Sequence, residues 1–438
     1  MTSDQDNGRA AVGRDTLEST MWDATAEPEP KTDILQGRVE ADVAVVGSGI
    51  TGMSTALHLA EAGKSVTVLE AKRIGWGCSS RNGGHMGSAW TSPPPDEAIR
   101  IWGQERGDRL NRLWTGSGKL VEDLIEKHGI DCNFKRTGMV WAAENGKQEK
   151  LLADMAEQWG RYGLQMDFLS RQAMTDYVAT DQYISGALTH ENASINPADF
   201  VRGLARAAMR AGAVIHAGSP AIGIEKQGDR WRVSSPEGEV LASRVVFGTN
   251  AYTVGPWPGL ARTFYPVRLT SLATEPCAEE SRSYLLKGMP LHDMNSLNFF
   301  ALLMDPVGRL LGGAFPTFSD SASIETVARP FERKFRRIFP AAPLPKWRHI
   351  WHGTLCMMPD KTPRMYKLAP GAYAVMGLSG TGNARAAVLG REVANLIDSG
   401  EEETCGLWLS KPKTLLSSRL IPVFMRYAGY PVARALFR

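Results

Sequence analysis

The run Val43-Ala-Val-Val-Gly-Ser-Gly-Ile-Thr-Gly52 constrains this chain more than any other segment. An apolar, β-branched strand enters a glycine-rich turn, and a helix of small residues follows. Ser65-Val-Thr-Val-Leu-Glu70 then returns as a second apolar strand ending in an acid. That order is a dinucleotide-binding βαβ unit, and each residue type has a mechanical reason. Gly47 permits the tight turn, Gly49 lets the backbone approach a pyrophosphate, and Gly52 lets the helix pack close to the sheet. The helix start, with Ser48, Ile50 and Thr51, aims free N–H groups at the phosphates. Glu70 lies eighteen positions after Gly52, near the spacing at which an acid accepts hydrogen bonds from ribose hydroxyls. Ala71 and Lys72 are counted with it as cofactor contacts. An acid there disfavours a 2′-phosphate, so the ligand expected is FAD or NAD rather than NADP.

A chain of 438 residues exceeds what one hydrophobic core usually supports, so two interlocked domains are expected. A hydrophobic content of 43% with 22% charged residues fits a globular protein and argues against disorder or a repeat array. The net charge of +3 implies no nucleic-acid footprint. Cys78, Cys132, Cys277, Cys356 and Cys405 are scattered, odd in number and without metal spacing, which reads as reduced thiols in a cytoplasmic protein and no metal site. No apolar stretch approaches the length of a membrane span, and the N-terminus lacks the basic and apolar regions of a signal peptide.

Residues 1–37 read as a polar arm that docks through Trp22 or stays mobile. Leu110, Leu113, Leu120, Leu124 and Ile125 mark one face of a helix over 96–128, stopped by Gly129. A strand pair around 132–143 and a helix over 146–163 are predicted next. Asn196-Pro197 starts a helix over 197–211, and a β-meander then leads to a buried strand at Ser243–Asn250. From Pro256 to about 350 the texture is mostly antiparallel, with one basic helix near 327–339. Tyr373–Gly377, Ser379–Gly382 and Ala384–Ser399 repeat the strand, glycine turn, helix design of the opening, so a second helix N-terminus is expected to face the same cofactor. The last thirty or so residues carry Arg419, Arg426, Arg434 and Arg438 among Leu, Ile, Phe and Tyr. Packing across its own domain is the expected arrangement for this tail, with a membrane surface or a partner as the alternative.

Four blocks carry a resemblance: Gly47–Glu70, Ser79–His85, Val245–Tyr252, and Trp351–Asp360 continuing into Gly377–Asn383. With them the chain resembles the FAD-dependent D-amino-acid oxidase and glycine/sarcosine oxidase superfamily. Gly77-Cys-Ser-Ser-Arg-Asn-Gly-Gly84 resembles its γ-glutamylputrescine oxidase branch. The fold this implies is α/β (α+β overall): a Rossmann-like FAD-binding domain of the GR2 type with an interleaved, mostly antiparallel β-sheet substrate domain. The expected segments are 38–95, 190–255 and 351–405 for the FAD domain, 96–189 and 256–350 for the substrate domain, and 406–438 for the tail. The resemblance implies that Ser79, Ser80, Arg81, Asn82 and Gly83 touch FAD and that Gly84 and His85 lie beside its ring. It places Thr249, Asn250 and Ala251 near the dinucleotide, Ala221 at the adenine, and Gly377, Ser379, Gly380, Thr381 and Gly382 in the loop at the flavin's pyrimidine end. Some relatives attach FAD through a cysteine seven positions before an aspartate, where this chain has Gly353 before Asp360, with Cys356 out of register. Others use a histidine where Arg81 stands, so non-covalent FAD is expected.

The activity implied is oxidation of the C–N bond of an amine or amino acid to an imine, with O2 or another electron acceptor. His85, Tyr265, Arg268, Trp351, His352 and Met357 are the candidate pocket residues. His85 follows the double glycine, Arg268 offers a carboxylate clamp, and Trp351 an aromatic wall. The competing classes are an NAD-linked dehydrogenase, which leaves Arg81–His85 without a purpose, and a dehydrogenase-type or non-catalytic flavoprotein subunit.

Overall fold

The computed structural model describes residues 20–88, 93–278, 282, 289–294, 300–314, 323–402 and 405–435. The first nineteen residues of the expected arm and Arg438 lie outside them.

The opening glycine unit forms the centre of one sheet. Strand Gly37–Val46 is flanked in parallel by Val66–Leu69 and Gly238–Phe247, with Val43 opposite Val66 and Val45 opposite Val246. Val214–His216 extends the parallel array on one side and Ala372–Met376 on the other. Arg364–Ala369 and the hairpin Gly223–Gln227/Arg230–Ser234 add antiparallel strands, and Leu409–Ser410 pairs in parallel with Arg364–Ala369, giving a nine-stranded sheet among the described residues. The central strands carry runs such as Val43–Val46 and Val66–Leu69 that are buried on both faces, as strands sandwiched between layers require. Helices Ile50–Glu61 and Gly382–Ser399 lie against each other. Ser54 Oγ donates to Ala387 O at 2.7 Å and Thr55 Oγ1 to Gly390 O at 3.2 Å.

Among the described residues the second sheet has eight strands and is antiparallel except where Leu291–Asp293 runs alongside Met139–Ala143. It draws Met139–Ala143, Met166–Ser170 and Ser185–Thr189 from one stretch of chain and the strands from Tyr265 to Met357 from another. Strand Trp347–Met357 pairs with Tyr265–Pro276 and continues across position 350. One face is closed by helix Ile324–Ile338, whose Phe331 and Phe335 are fully buried against Leu302 and Leu310.

Some predicted elements differ in detail. The helix expected over 96–128 is three, Pro95–Trp102, Gln104–Thr115 and Ser117–His128, broken at Gly103 and Gly116. The first two pack so closely that a Cβ on Gly107 would lie 2.5 Å from the Ile99 Cα. The strand pair expected at 132–143 is the single strand Met139–Ala143; residues before it form a loop whose Lys135 bridges Ser194. The helix over 146–163 ends at Gly160.

The described part of the arm docks through its tryptophan. Thr20 caps helix Met21–Thr25, Trp22 is 3% exposed, and Arg202, itself buried, holds Asp23 at 3.0 Å and the Glu27 carbonyl at 2.7 Å.

Candidate active site

The nucleotide end is built from backbone. Gly52 approaches the Gly47 carbonyl so closely that a Cβ would sit 1.9 Å from that oxygen. Glu70 does not hang free: Ser48 donates to its Oε2 from both backbone N (2.8 Å) and Oγ (2.7 Å), and Lys72 N donates to Oε1 at 2.8 Å. The carboxylate is thereby fixed at the strand end with lone pairs left for ribose hydroxyls. Thr249 stands beside Gly47, its Cγ2 3.2 Å from where a Gly47 Cβ would be. Ala221 and Ala251 pack with Trp257 against the core on that side.

Helix Ile50–Glu61 begins at Gly49, which brings no side-chain cap to the first-turn N–H groups. Ser79 Oγ accepts from one of them, Ile50 N, at 3.0 Å. Helix Gly382–Ser399 likewise starts without a side-chain cap, because Thr381 Oγ1 turns back to donate to Leu378 O at 2.8 Å. Two positive helix ends are thus open in the same region.

The segment Ser79–His85 links them. Asn82 and Asn383 exchange amide hydrogen bonds at 2.9 Å in both directions, Gly84 N donates to Asn82 Oδ1 at 2.9 Å, and Asn383 Nδ2 donates to His85 O at 2.8 Å. Arg81 is buried, donates from Nε to Trp76 O at 2.7 Å and stacks on the Trp76 ring at 4.7 Å. Trp22 Nε1 donates to Asn82 O at 2.8 Å and Trp351 Nε1 to Arg81 O at 2.9 Å. Gly84 adopts φ +75, and a Cβ there would meet Ile195 O at 2.8 Å and the Trp22 ring at 2.9 Å, so only glycine fits. The last loop is set the same way: Asn250 Oδ1 accepts from Gly377 N at 3.0 Å, Ser379 Oγ from Met358 N at 3.2 Å, and Gly380 faces Leu355.

The histidine that follows the double glycine, His85, has aromatic neighbours. Its ring lies edge-on to His292 at 5.0 Å, and His292 in turn packs on Trp141 at 5.0 Å. Burial pushes the His85 imidazole down to about 4, and burial together with His85 holds His292 well below 6.5. Both are therefore neutral at physiological pH. Because the folded values are depressed, the stabilisation tied to these neutral rings is complete above 6.5 and is lost as pH falls toward about 4. Urea midpoints measured across that interval should fall steadily, and His292→Phe should flatten the fall; an unchanged slope would remove these rings as its cause.

The other candidates divide. Trp351 is fully buried with Met21, Trp22 and Leu303 and backs the Arg81 segment as core rather than as an open aromatic wall. Alternation along Trp347–Met357 sends Trp351, Gly353 and Leu355 to one face and His352 to the other. There His352 Nδ1 pairs with Thr270 Oγ1 at 2.9 Å, and its carbonyl accepts from Arg81 Nη1 at 3.3 Å. Tyr265 Oη contacts Ser417 Oγ at 2.9 Å and Arg268 N donates to Tyr430 Oη at 2.8 Å, so both meet the C-terminal segment. Tyr265, Arg268 and His352 stand on the paired strands Tyr265–Pro276 and Trp347–Met357. His292 and Trp141 are not among the candidates read from the sequence, Trp22 is expected there only to dock the arm, and Asn383 appears there only as the end of a resembling block. Among the described residues no three His, Cys, Asp or Glu side chains form a metal-binding group.

Two helix starts without an N-cap side-chain bond, a glycine cradle, a fixed acid and a neutral histidine fit a dinucleotide-dependent redox enzyme. The Ser80 Oγ and His85 Nδ1 atoms, buried without a hydrogen-bond partner, fit a flavin-bearing dinucleotide laid there. The chain belongs to the DAO family, FAD dependent oxidoreductases, whose pattern matches residues 42–396. Gamma-glutamylputrescine oxidoreductase of Escherichia coli (strain K12) is 32% identical over 390 residues, 88% of this chain and 90% of that protein. Among solved structures, L-proline dehydrogenase from P. horikoshii aligns with a TM-score of 0.68 at 20% identity, covering 92% of this chain and 99% of that one. Glycine oxidase from Bacillus cereus aligns with a TM-score of 0.66 at 22% identity, over 83% and 96%. No helix among the described residues is long and apolar enough to cross a membrane.

Proposed function

We propose that this chain oxidises the C–N bond of a small amine or amino acid to an imine, which water converts to an aldehyde or keto acid with release of ammonia or an amine. The observation that carries the reading is the Ser79–His85 segment, tied at Ser79 to one helix start and at Asn82 to the other, with a neutral histidine at its end. The names of the relatives, an oxidoreductase of a γ-glutamyl amine and a glycine oxidase, favour the same bond class. When bound, FAD would supply the two-electron acceptor for the C–H beside the amine nitrogen. The chain's own residues orient and enclose. The Asn82–Asn383 pair would hold the segment against bound FAD, Trp22 and Trp351 would close its back against water, and His85 would be a neutral polar group at its end.

Non-covalent attachment is part of the proposal. Arg81 is stacked on Trp76, Gly353 has no side chain to react, and the Cys356 thiol is buried, accepts from Gly377 N at 3.2 Å and is pushed well above its ordinary range by burial. All five cysteines are free, which supports a cytoplasmic location. O2 is the proposed acceptor. The experiment is anaerobic titration of the yellow protein with primary amines, N-alkyl amines and amino acids, followed by air. Bleaching by one class, recovery of colour with peroxide on readmitting air, and release of the colour by acid precipitation are expected. A flavin that no amine bleaches sinks the enzymatic reading. Bleaching that air does not reverse assigns the electrons to another acceptor.

A further inference from the structure

The C-terminal segment is bound on one side and apolar on the other. From Leu416 to Ala435 it is helical throughout, as a 3₁₀ turn, helix Leu420–Phe424, a wide π turn and helix Tyr430–Ala435. Ser418 and Tyr430 are buried, Ser417 meets Tyr265, Tyr430 accepts from Arg268 N, and Leu415 N donates to Arg262 O at 2.8 Å. The expected packing of the tail across its own domain is therefore present. The outward face is unlike that of a solvated helix: Leu416 is 97% exposed, Leu420 69%, Phe424 60% and Tyr427 66%, with Val423 beside them. These positions recur at helical spacing, so they form one stripe. Apolar side chains in such a cluster mark a surface that meets something.

Charge says what it meets. Between Cys405 and Arg438 the sequence has six Lys and Arg residues and no Asp or Glu, while the whole chain carries only +3. The remainder is therefore net negative, and the positive charge is concentrated beside the stripe, with Lys411, Lys413 and Arg426 exposed. Two copies of this face brought together would set cations against cations, which argues against a dimer through it. An anionic lipid surface matches both features, taking the apolar side chains into the headgroup boundary and the cations against its negative charge. We infer that the segment from Lys411 to Ala435 is a docking surface for an anionic phospholipid bilayer, on which the enzyme lies without spanning it.

The test is co-sedimentation of the flavin-loaded full chain with phosphatidylcholine vesicles with and without phosphatidylglycerol, read by flavin absorbance in the pellet. The protein should pellet with the phosphatidylglycerol vesicles, and added salt should release it. Leu420→Glu/Phe424→Glu should lose at least tenfold in binding while keeping flavin content and turnover in solution. Lys411→Gln/Lys413→Gln should lose about fivefold per charge. Protein that stays in the supernatant with anionic vesicles at low salt overturns the inference. So does equal binding by the Leu420/Phe424 variant. A dimer in sedimentation velocity that this variant splits would assign the face to a second copy and overturn it as well.

Discussion

Gly52→Ala should yield colourless protein that is folded and inactive. The added Cβ would lie 1.9 Å from the Gly47 carbonyl oxygen, 3.1 Å from its carbon and 3.4 Å from Val45 Cγ1. A backbone oxygen cannot rotate away as the end of a long side chain can, so the helix start must separate from the turn. Overpacking of this kind costs about 1–3 kcal/mol, which a chain of this size survives. FAD binding is more sensitive, because the same displacement moves the first-turn N–H groups and Ser48, which holds Glu70. A shift of about 1 Å in positioning groups can cost on the order of a hundredfold, and that loss is expected in flavin affinity and hence in activity. Flavin absorbance after gel filtration, with far-ultraviolet circular dichroism to verify folding, reads the result. Gly160→Ala is the control, since a Cβ at that helical position meets nothing within 4 Å. A yellow, active Gly52→Ala protein would show that the turn and helix separate without consequence.

The βαβ unit and the Ser79–His85 segment are legible in the sequence because their chemistry is local. A glycine needed for close approach, or an acid at a strand end, is dictated by neighbours a few positions away. What supports them is not. Asn383 meets Asn82 across 301 positions and Trp22 meets it across 60, and no periodicity records such pairings. His292 sits in a three-residue strand without a motif, and only the pairing of Leu291–Asp293 with Met139–Ala143 brings it beside Trp141. Arg268 and His352 have the residue types that bind carboxylates and move protons, and both stand on paired strands of the second sheet. Strand alternation and the docked tail decide where such side chains go, and both are tertiary facts. The break of the 96–128 helix is a milder case. Its apolar face runs on through Gly103 and Gly116, so spacing alone reads as one element where the chain turns twice.

Removing the amine of Lys334 should produce the largest stability loss of any single charge. Lys334 lies on the inner face of helix Ile324–Ile338, fully buried among Phe331, Phe335 and Phe300. Its Nζ reaches Asp293 Oδ2 at 2.6 Å and Glu144 Oε1 at 3.5 Å, and Tyr183 Oη donates to the same Asp293 oxygen at 3.5 Å. Both partners of the short pair have fully buried side chains. Deleting one charge of such a pair leaves the other desolvated, at about 3–5 kcal/mol, whereas replacing both by apolar groups costs little or stabilises. Lys334→Met should therefore lower the urea midpoint steeply, and Lys334→Met/Asp293→Leu should recover most of it. The loss should reach catalysis as well, because Asp293 follows His292, and the strand they share presents His292 to His85. A reduced kcat with little change in KM is expected in the single variant at temperatures where it remains folded. If Lys334→Met costs less than about 1 kcal/mol, the range of a solvated surface pair, the buried carboxylate has found another partner or a proton, and the helix does not hold the His292 strand through charge.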